Sequence, residues 1–318
     1  MSGPQREDSP PQPSAATGYA SRDYARSLSE FGEVIDLPRS GGALLAQQVP
    51  GSGERDLVGP YPLFSCSNWN GLADDLRSLS ESFACAYVVT DPFAEVDANE
   101  LRRAFPNVCY AYKQHFVTDL ARPLETFVDS HHRRNIRKGL RNVEVRHLDA
   151  EPASADFSTA LDAWQLLYQD LIERHGIEGI ARFSQTSFEQ QFAVPGFDCF
   201  AAVDGTGICG MTLWYTHGHV AYYHLAAYSE RGYAQAASFA LFATAFQHFS
   251  ARGVRWAALG AGAGTNAVDS GLTRFKQGWS TETRPVHFCG RILQPEVYVR
   301  LSAGAPANTK FFPAYRSR

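Results

Sequence analysis

The sequence predicts an α/β (α+β) protein with mixed sheets, and three observations carry that prediction. Apolar runs with strand-like alternation occur in both halves of the chain. Stretches with apolar residues at three- and four-residue spacing, as in amphipathic helices, separate them. Three closely spaced strand-like runs, joined by Asp-Gly and His-Gly turns, then precede a long Ala-rich stretch, which is the pattern of an antiparallel meander feeding a helix. The composition agrees: 318 residues, 44% apolar and 19% charged, have the balance of an ordinary soluble globular chain with room for two domains.

In chain order, residues 1–20 are rich in Pro, Ser and Ala and read as a disordered tail. Strand-like runs follow at 44–49, 85–91 and 108–120. Helical stretches lie between them at "LADDLRSLSESF" and "DANELRRAF", the second with Asp97 and Asn99 as caps. "HRRNIRKGLRN" has good helix formers, and "VEVRHL" (143–148) alternates as a half-buried strand does. Asp156 is placed to cap the clearest helix, whose stripe is Phe157, Leu161, Trp164, Leu167, Tyr168 and Leu171, and Gly176 to stop it. A shorter helix, "SFEQQFAV", comes next, and the meander takes 199–203, 208–216 and 219–229. The Ala-rich helix is expected over 235–252 with Phe239, Phe242, Phe246 and Phe249 buried, followed by a strand at 254–259. The end, 303–318, is irregular, with Phe311, Phe312 and Tyr315 as residues that can dock on the body.

The formal net charge of −4 argues against a general nucleic-acid or membrane-surface binder. Six cysteines without CxxC or CxH spacing suggest buried free thiols and no zinc site. No stretch approaches the roughly 20 apolar residues that span a bilayer, so no membrane insertion is expected and the cytoplasm is the expected location.

Against that acidic balance, Arg133, Arg134, Arg137, Lys138 and Arg141 fall within nine positions. On a helix, Arg133, Arg137 and Arg141 share one face while Arg134 and Lys138 share the next. Such a set suits a phosphate or phosphodiester, since guanidinium forks bind it bidentately, but it equally describes a solvated face. A second site candidate is the turn "YSERGYA", where Arg231, Gly232, Tyr233 and Ala234 leave a strand and open a helix. The free N–H groups and dipole of a helix start make a seat for pyrophosphate, and the alternative is an ordinary strand-to-helix turn. Gly260, Gly262 and Gly264 give GxGxG rather than GxGxxG, which sets a dinucleotide fold aside in favour of a close-packed turn. On "HVAYYHLAAY", strict alternation puts Tyr222, His224, Ala226 and Tyr228 on one face and Tyr223 on the other. An unperturbed imidazole titrates near neutrality, so His224 is a candidate base, with Tyr223 a candidate for the cleft; the alternative for both is the core.

The order helix–helix–three antiparallel strands–helix–strand is the layout of the Gcn5-related N-acetyltransferase (GNAT) fold, in which a splayed strand pair holds an acyl thioester. "HRRNIRKGLRNVEVR" and the later "GLTRFKQGWS" together resemble the FemAB-like branch of that superfamily, and "VGPYP" (58–62) matches an element of its first half. The resemblance covers roughly residues 40–290. It implies two tandem GNAT-like domains, a degenerate one over 21–140 and a catalytic one over 141–302. It also implies transfer of an acyl or aminoacyl group to an amine, with acyl-CoA as donor or, alternatively, aminoacyl-tRNA. The acceptor would be a small-molecule or cell-envelope amine, with tRNA a possible partner; a non-catalytic binding module is the third reading. By the same resemblance the "FK" pair falls on Phe275 and Lys276: Phe275 is expected to be buried, leaving Lys276 to face the anionic donor or acceptor. Arg at position 276 is then expected to recover part of the activity that Ala loses. Ser229 stands where this family's turn usually carries Gln or Arg, and Gly139 where Ala is common.

Overall fold

The computed structural model describes residues 16–148, 154–262, 271–306 and 308–317. Its strands are β1 Glu33–Leu37, β2 Gly42–Gln48, β3 Arg55–Val58, β4 Cys85–Val89, β5 Val108–Asp119, β6 Glu144–Leu148, β7 Phe197–Asp204, β8 Gly207–His217, β9 Val220–Tyr228, β10 Trp256–Gly260 and β11 Glu282–Ile292. Its helices are α1 Arg22–Ser27, α2 Trp69–Ser78, α3 Ala98–Ala104, α4 Ser130–Asn142, α5 Ala155–His175, α6 Gln185–Phe192, α7 Glu230–Ala234, α8 Ala237–Ala251, α9 Gly271–Gln277 and α10 Pro295–Ser302. The strands form one 11-stranded sheet in the order β1-β2-β3-β4-β11-β5-β10-β9-β8-β7-β6.

The predicted meander is present as β7, β8 and β9, antiparallel throughout, with Asp-Gly and His-Gly turns closing strands that are buried on both faces along most of their length. On one face, α5 and α6 bury Trp164, Tyr168 and Phe188 against Met211, Leu213, Tyr215 and Tyr222. On the other, α8 buries Phe242, Phe246 and Phe249 with Trp214 and Trp279. Phe239, the fourth residue of the expected stripe, is only half-buried and packs against His132 and Phe275 instead. Each fully buried aromatic of this kind contributes a few kcal/mol of burial, which fixes α8 on the sheet.

One relation positions everything that follows. β9 pairs in parallel with β10 only from Val220 to Tyr222, against Trp256 to Ala258. Beyond that, β9 follows β8 as far as Tyr228, while β10 stays with β5 up to Gly260. The two strands therefore part after Tyr222 and leave a wedge-shaped gap. β9 also carries a bulge: Tyr223 faces Trp214 and Leu225 faces Leu213, so His224 is an extra residue with no partner in β8.

Several expectations change. The tail expected over 1–20 ends sooner, since Tyr19 is buried with Tyr24, Tyr215 and Tyr222; residues 1–15 lie outside the described residues. The clearest helix starts at Ala155, so its cap position is Ser154 rather than Asp156. The helix expected over 235–252 is two, broken at Ala236, which has φ 59° in the left-handed region that Ala rarely adopts. The bulge also reverses the alternation of β9, so Tyr223, Ala226 and Tyr228 pack on the α8 side while Tyr222 and Leu225 pack on the other. At the chain's end Phe312 and Tyr315 do dock, and the Arg316 guanidinium holds Asp56 at 2.8 Å, whereas Phe311 is exposed.

Candidate active site

The two segments that carry the family resemblance meet at the gap. Asp129 caps α4 by accepting from the His132 amide at 2.7 Å, and the His132 ring, buried, lies 3.0 Å from the Phe275 carbonyl oxygen of α9. A side chain at Gly278 would collide with that ring, so glycine is required there by His132. Further along α4, a Cβ on Gly139 would sit 2.6 Å from the Ala236 carbonyl oxygen, and the absent side chain is what lets α4 approach α8. The glycine that departs from the family's usual Ala has a steric cause.

α9 delivers Lys276 to the mouth of the gap. Its Nζ donates to the Ala261 carbonyl oxygen at 2.7 Å, just past the end of β10, and lies 5.5 Å above the Tyr223 ring on β9. A Cβ on Gly260 would be 3.3 Å from the same Nζ, so that glycine keeps room for the ammonium. Lys276 thus bridges the two strands that have parted. It is also buried, with 7% of its surface exposed, and burial, reinforced by the Lys113 charge, lowers its pKa to about 7. The family resemblance implied the reverse arrangement, with Phe275 buried and Lys276 turned toward the anionic substrate. Phe275 is only half-buried, packed edge-on against Phe239 and Phe242 and tilted against His132, because α9 turns its lysine rather than its phenylalanine into the sheet.

Tyr223 lines the gap, packed on Trp214 and Phe242. His224 does not. Its Nδ1 lies 2.9 Å from the Tyr19 hydroxyl and its Nε2 2.9 Å from Gln191 Oε1, and burial pushes its pKa down to about 3. A ring with both nitrogens occupied and its cationic form this disfavoured cannot act as a base at neutral pH, which corrects its assignment. It is a satisfied core histidine, placed there by the bulge.

At the strand-to-helix turn, the Ser229 hydroxyl accepts from the Gly232 amide at 3.2 Å and donates to the Cys209 carbonyl oxygen at 3.0 Å. Gly232 passes so close to that carbonyl oxygen that a Cβ would overlap it. Arg231 is turned away from the turn, bound to both oxygens of Asp204 at 2.8 and 2.9 Å. Tyr233 is exposed and stacks edge-on to Tyr228. The Ala234 carbonyl oxygen accepts from Lys138 Nζ at 2.7 Å, which ties the basic helix to this turn. Within the basic set, Arg133 is held by the Val128 carbonyl oxygen at 2.6 Å, while Arg134, Arg137 and Arg141 are exposed.

The structure also assembles residues that no motif connects. His147 of β6, Asp198 of β7 and His248 of α8 have ligand atoms within 4.8 Å of one another, at sequence separations no metal motif covers. Arg252 Nη1 lies 2.9 Å from Asp198 Oδ1 and 3.2 Å from His248 Nε2, so a guanidinium already stands where a cation would. Burial opposes the Asp198 charge, but the bonds from His147 and Arg252 hold its carboxyl below the usual range. All six cysteines are free thiols, and five of them are buried. No helix of the described residues is long and apolar enough to cross a membrane.

Comparison with known proteins places this geometry. Residues 130–277 match the family described as the acetyltransferase (GNAT) domain. No curated protein matches the sequence. Among solved structures, FemX is similar with a TM-score of 0.63 at 14% identity, over 87% of this chain and 92% of that one. The C-terminal domain of a protein named as a lysylphosphatidylglycerol synthetase from Agrobacterium fabrum gives 0.64 at 12% identity, over 88% of each chain. L-PGS from Bacillus licheniformis gives 0.57 at 13% identity, over 88% of this chain and 94% of that one. At these identities the likeness is one of fold.

Proposed function

We propose, taking as premise that the chain has a FemAB-like GNAT fold, that it is an N-acyltransferase that moves an acyl or aminoacyl group from a donor onto an amine. The observation that carries this reading is the buried Lys276 Nζ at the mouth of the gap between β9 and β10, with a pKa near neutrality. An attacking amine must lose a proton, and the leaving thiol or hydroxyl must gain one. A lysine that is substantially neutral at pH 7 can accept the first and return it in the second step. Tyr223 and Phe275 would shape the walls of the gap.

For the donor we favour acyl-CoA, with its pyrophosphate near the turn at Gly232 and the basic residues of α4. The second reading, aminoacyl-tRNA, is favoured by one observation: Ser229 occupies the Gly232 amide that a pyrophosphate would otherwise use, and Arg231 is spent on Asp204. Either donor is polyanionic. Arg134→Ala combined with Arg137→Ala is therefore expected to weaken donor binding about tenfold, a modest effect because both side chains are exposed and screened. The thermal midpoint should stay within a degree or two; a double variant that melts early yet binds the donor normally would make the cluster structural.

The function itself is tested by incubating the protein with a mixed pool of amines and either acetyl-CoA or charged tRNA, followed by mass spectrometry. The expected product is an amine heavier by the acyl or aminoacyl group with one of the two donors. Absence of any acylated amine with both donors would favour the binding-module reading.

A further inference from the structure

His115, on β5 in the first half of the chain, stands across β10 from the gap and close enough to Lys276 for the two to interact. β5 is the strand β10 leans on: Val117 pairs with Ala258 and Phe116 with Gly260, the last paired residue of β10. Ala258 belongs to the core shared with Tyr222, and Val117, fully buried, is its cross-strand partner, whereas Phe116 packs with Phe275 and Trp279. By strand alternation His115 lies on the Val117 side, one step beyond the row Tyr222–Ala258–Val117 at which β9 and β10 part. Its chain neighbour Phe116 pairs with Gly260, where an added Cβ would stand 3.3 Å from Lys276 Nζ.

His115 is 8% exposed, and its Nδ1 is buried without a hydrogen-bond partner among the described residues. An unpartnered buried polar atom costs of the order of 1–3 kcal/mol, and at the edge of a substrate gap the natural completion is the substrate. Two lysines, Lys113 two positions away on the same face and Lys276, place positive charge beside it. Burial, with those two charges, keeps the imidazole neutral far below neutral pH. A neutral ring beside the Lys113 cation is suited to donate a hydrogen bond to an oxygen that gains negative charge. It is unsuited to take a proton.

We infer that His115 is a second catalytic residue, whose Nδ1–H donates to the carbonyl oxygen of the transferred acyl group; the inference rests on the acyltransferase reading above. The amine nitrogen attacks the carbonyl carbon, a C–N bond forms, and the carbonyl π pair moves onto the oxygen, where His115 stabilises it. The amine's proton passes to neutral Lys276. The C–S bond of a thioester, or the C–O bond of an aminoacyl ester, then breaks, and the leaving group takes that proton. His115 stays neutral throughout. Its place in the sequence, "YKQHFVTD", gives no motif to find it by, because its meaning comes from a cross-strand neighbour more than a hundred residues away.

The test uses His115→Phe, which keeps ring and burial, and His115→Gln, which keeps a donor. Phe should lower kcat about a hundredfold, as loss of one oxyanion donor does, with the donor's KM changed less than threefold and the fold intact. Gln should recover at least tenfold of that loss. A parent kcat in the Phe variant overturns the inference, as does an equal loss in Phe and Gln that tracks a fall in melting temperature. Nitrogen-15 NMR of histidine-labelled protein gives a readout independent of turnover: it should show His115 neutral and protonated on Nδ1 from pH 6 to 8. An Nε2–H tautomer with bare Nδ1 also overturns it. If the parent protein acylates no amine from acetyl-CoA or charged tRNA, the acyltransferase reading falls and His115 with it; if the parent transfers and the Phe variant matches it, only His115 falls.

Discussion

Lys276→Met is expected to slow acyl transfer about a hundredfold or more while raising the melting temperature by several degrees. Both effects come from one fact, a lysine kept in a site that disfavours its charge. The native pKa lies near 7 against an ordinary 10.5, so folding the protein at neutral pH costs of the order of a few kcal/mol at this position. The pH dependence has a definite sign. Below pH 7 the lysine is charged in both states and the full cost is present. Between pH 7 and 10.5 the unfolded chain binds more protons, so the parent's stability rises with pH and Met's advantage shrinks toward zero. The groups facing Nζ are the Ala261 carbonyl, the Tyr223 ring, Lys113 and His115, and no carboxylate is among those named contacts. Lys276→Arg, expected from sequence to recover part of the activity, should recover none. A guanidinium is always charged and is larger than the space beside Gly260 permits. A Met variant that is no more stable than the parent at pH 6.5 would count against the buried, near-neutral lysine.

Gly232→Ala should be among the most destabilising single-methyl changes in the chain. The added Cβ would overlap the Cys209 carbonyl oxygen, a backbone atom that cannot swing aside as a side chain can. The same oxygen accepts from the Ser229 hydroxyl and from the Ser229 amide, so moving it disturbs the junction of β8, β9 and α7 together. We expect about 2–4 kcal/mol of lost stability, in the range of overpacked backbone sites. Gly205→Ala serves as control: nothing lies within 4 Å of its Cβ position, and the change should be near neutral. Equal melting temperatures for the two variants would contradict the packing described for the turn.

What the chain's letters revealed, and what they hid, follows the range of the interactions involved. The meander was legible because Asp204-Gly205 and His217-Gly218 act through local turn chemistry between apolar, strand-like runs. The Phe stripe of α8 was legible for the same reason, although the break at Ala236 was not, since Ala carries no signal for a left-handed residue. The bulge at His224 depends on how β8 and β9 register, and it moved a candidate base into the core. β11 was missed: Pro285 in its middle argues against a strand, yet the strand adds itself between β4 and β5. Lys276 was found through a family segment, while the reason for its importance, burial against Ala261 and Tyr223, was visible only once β9 and β10 were seen to part. The contact of His132 with Gly278 and Phe275 joins the two segments in space, something neither segment states alone.

The most direct test of the account is the pH dependence of kcat/KM for acyl transfer in the parent protein, from pH 5.5 to 9, beside the Lys276→Met variant. The parent should show an acid limb with a midpoint near pH 7, where Lys276 becomes neutral, and the variant a low, limb-free profile. A parent rate that is flat across pH 7, or a Met variant that keeps the parent's rate and its limb, would contradict it.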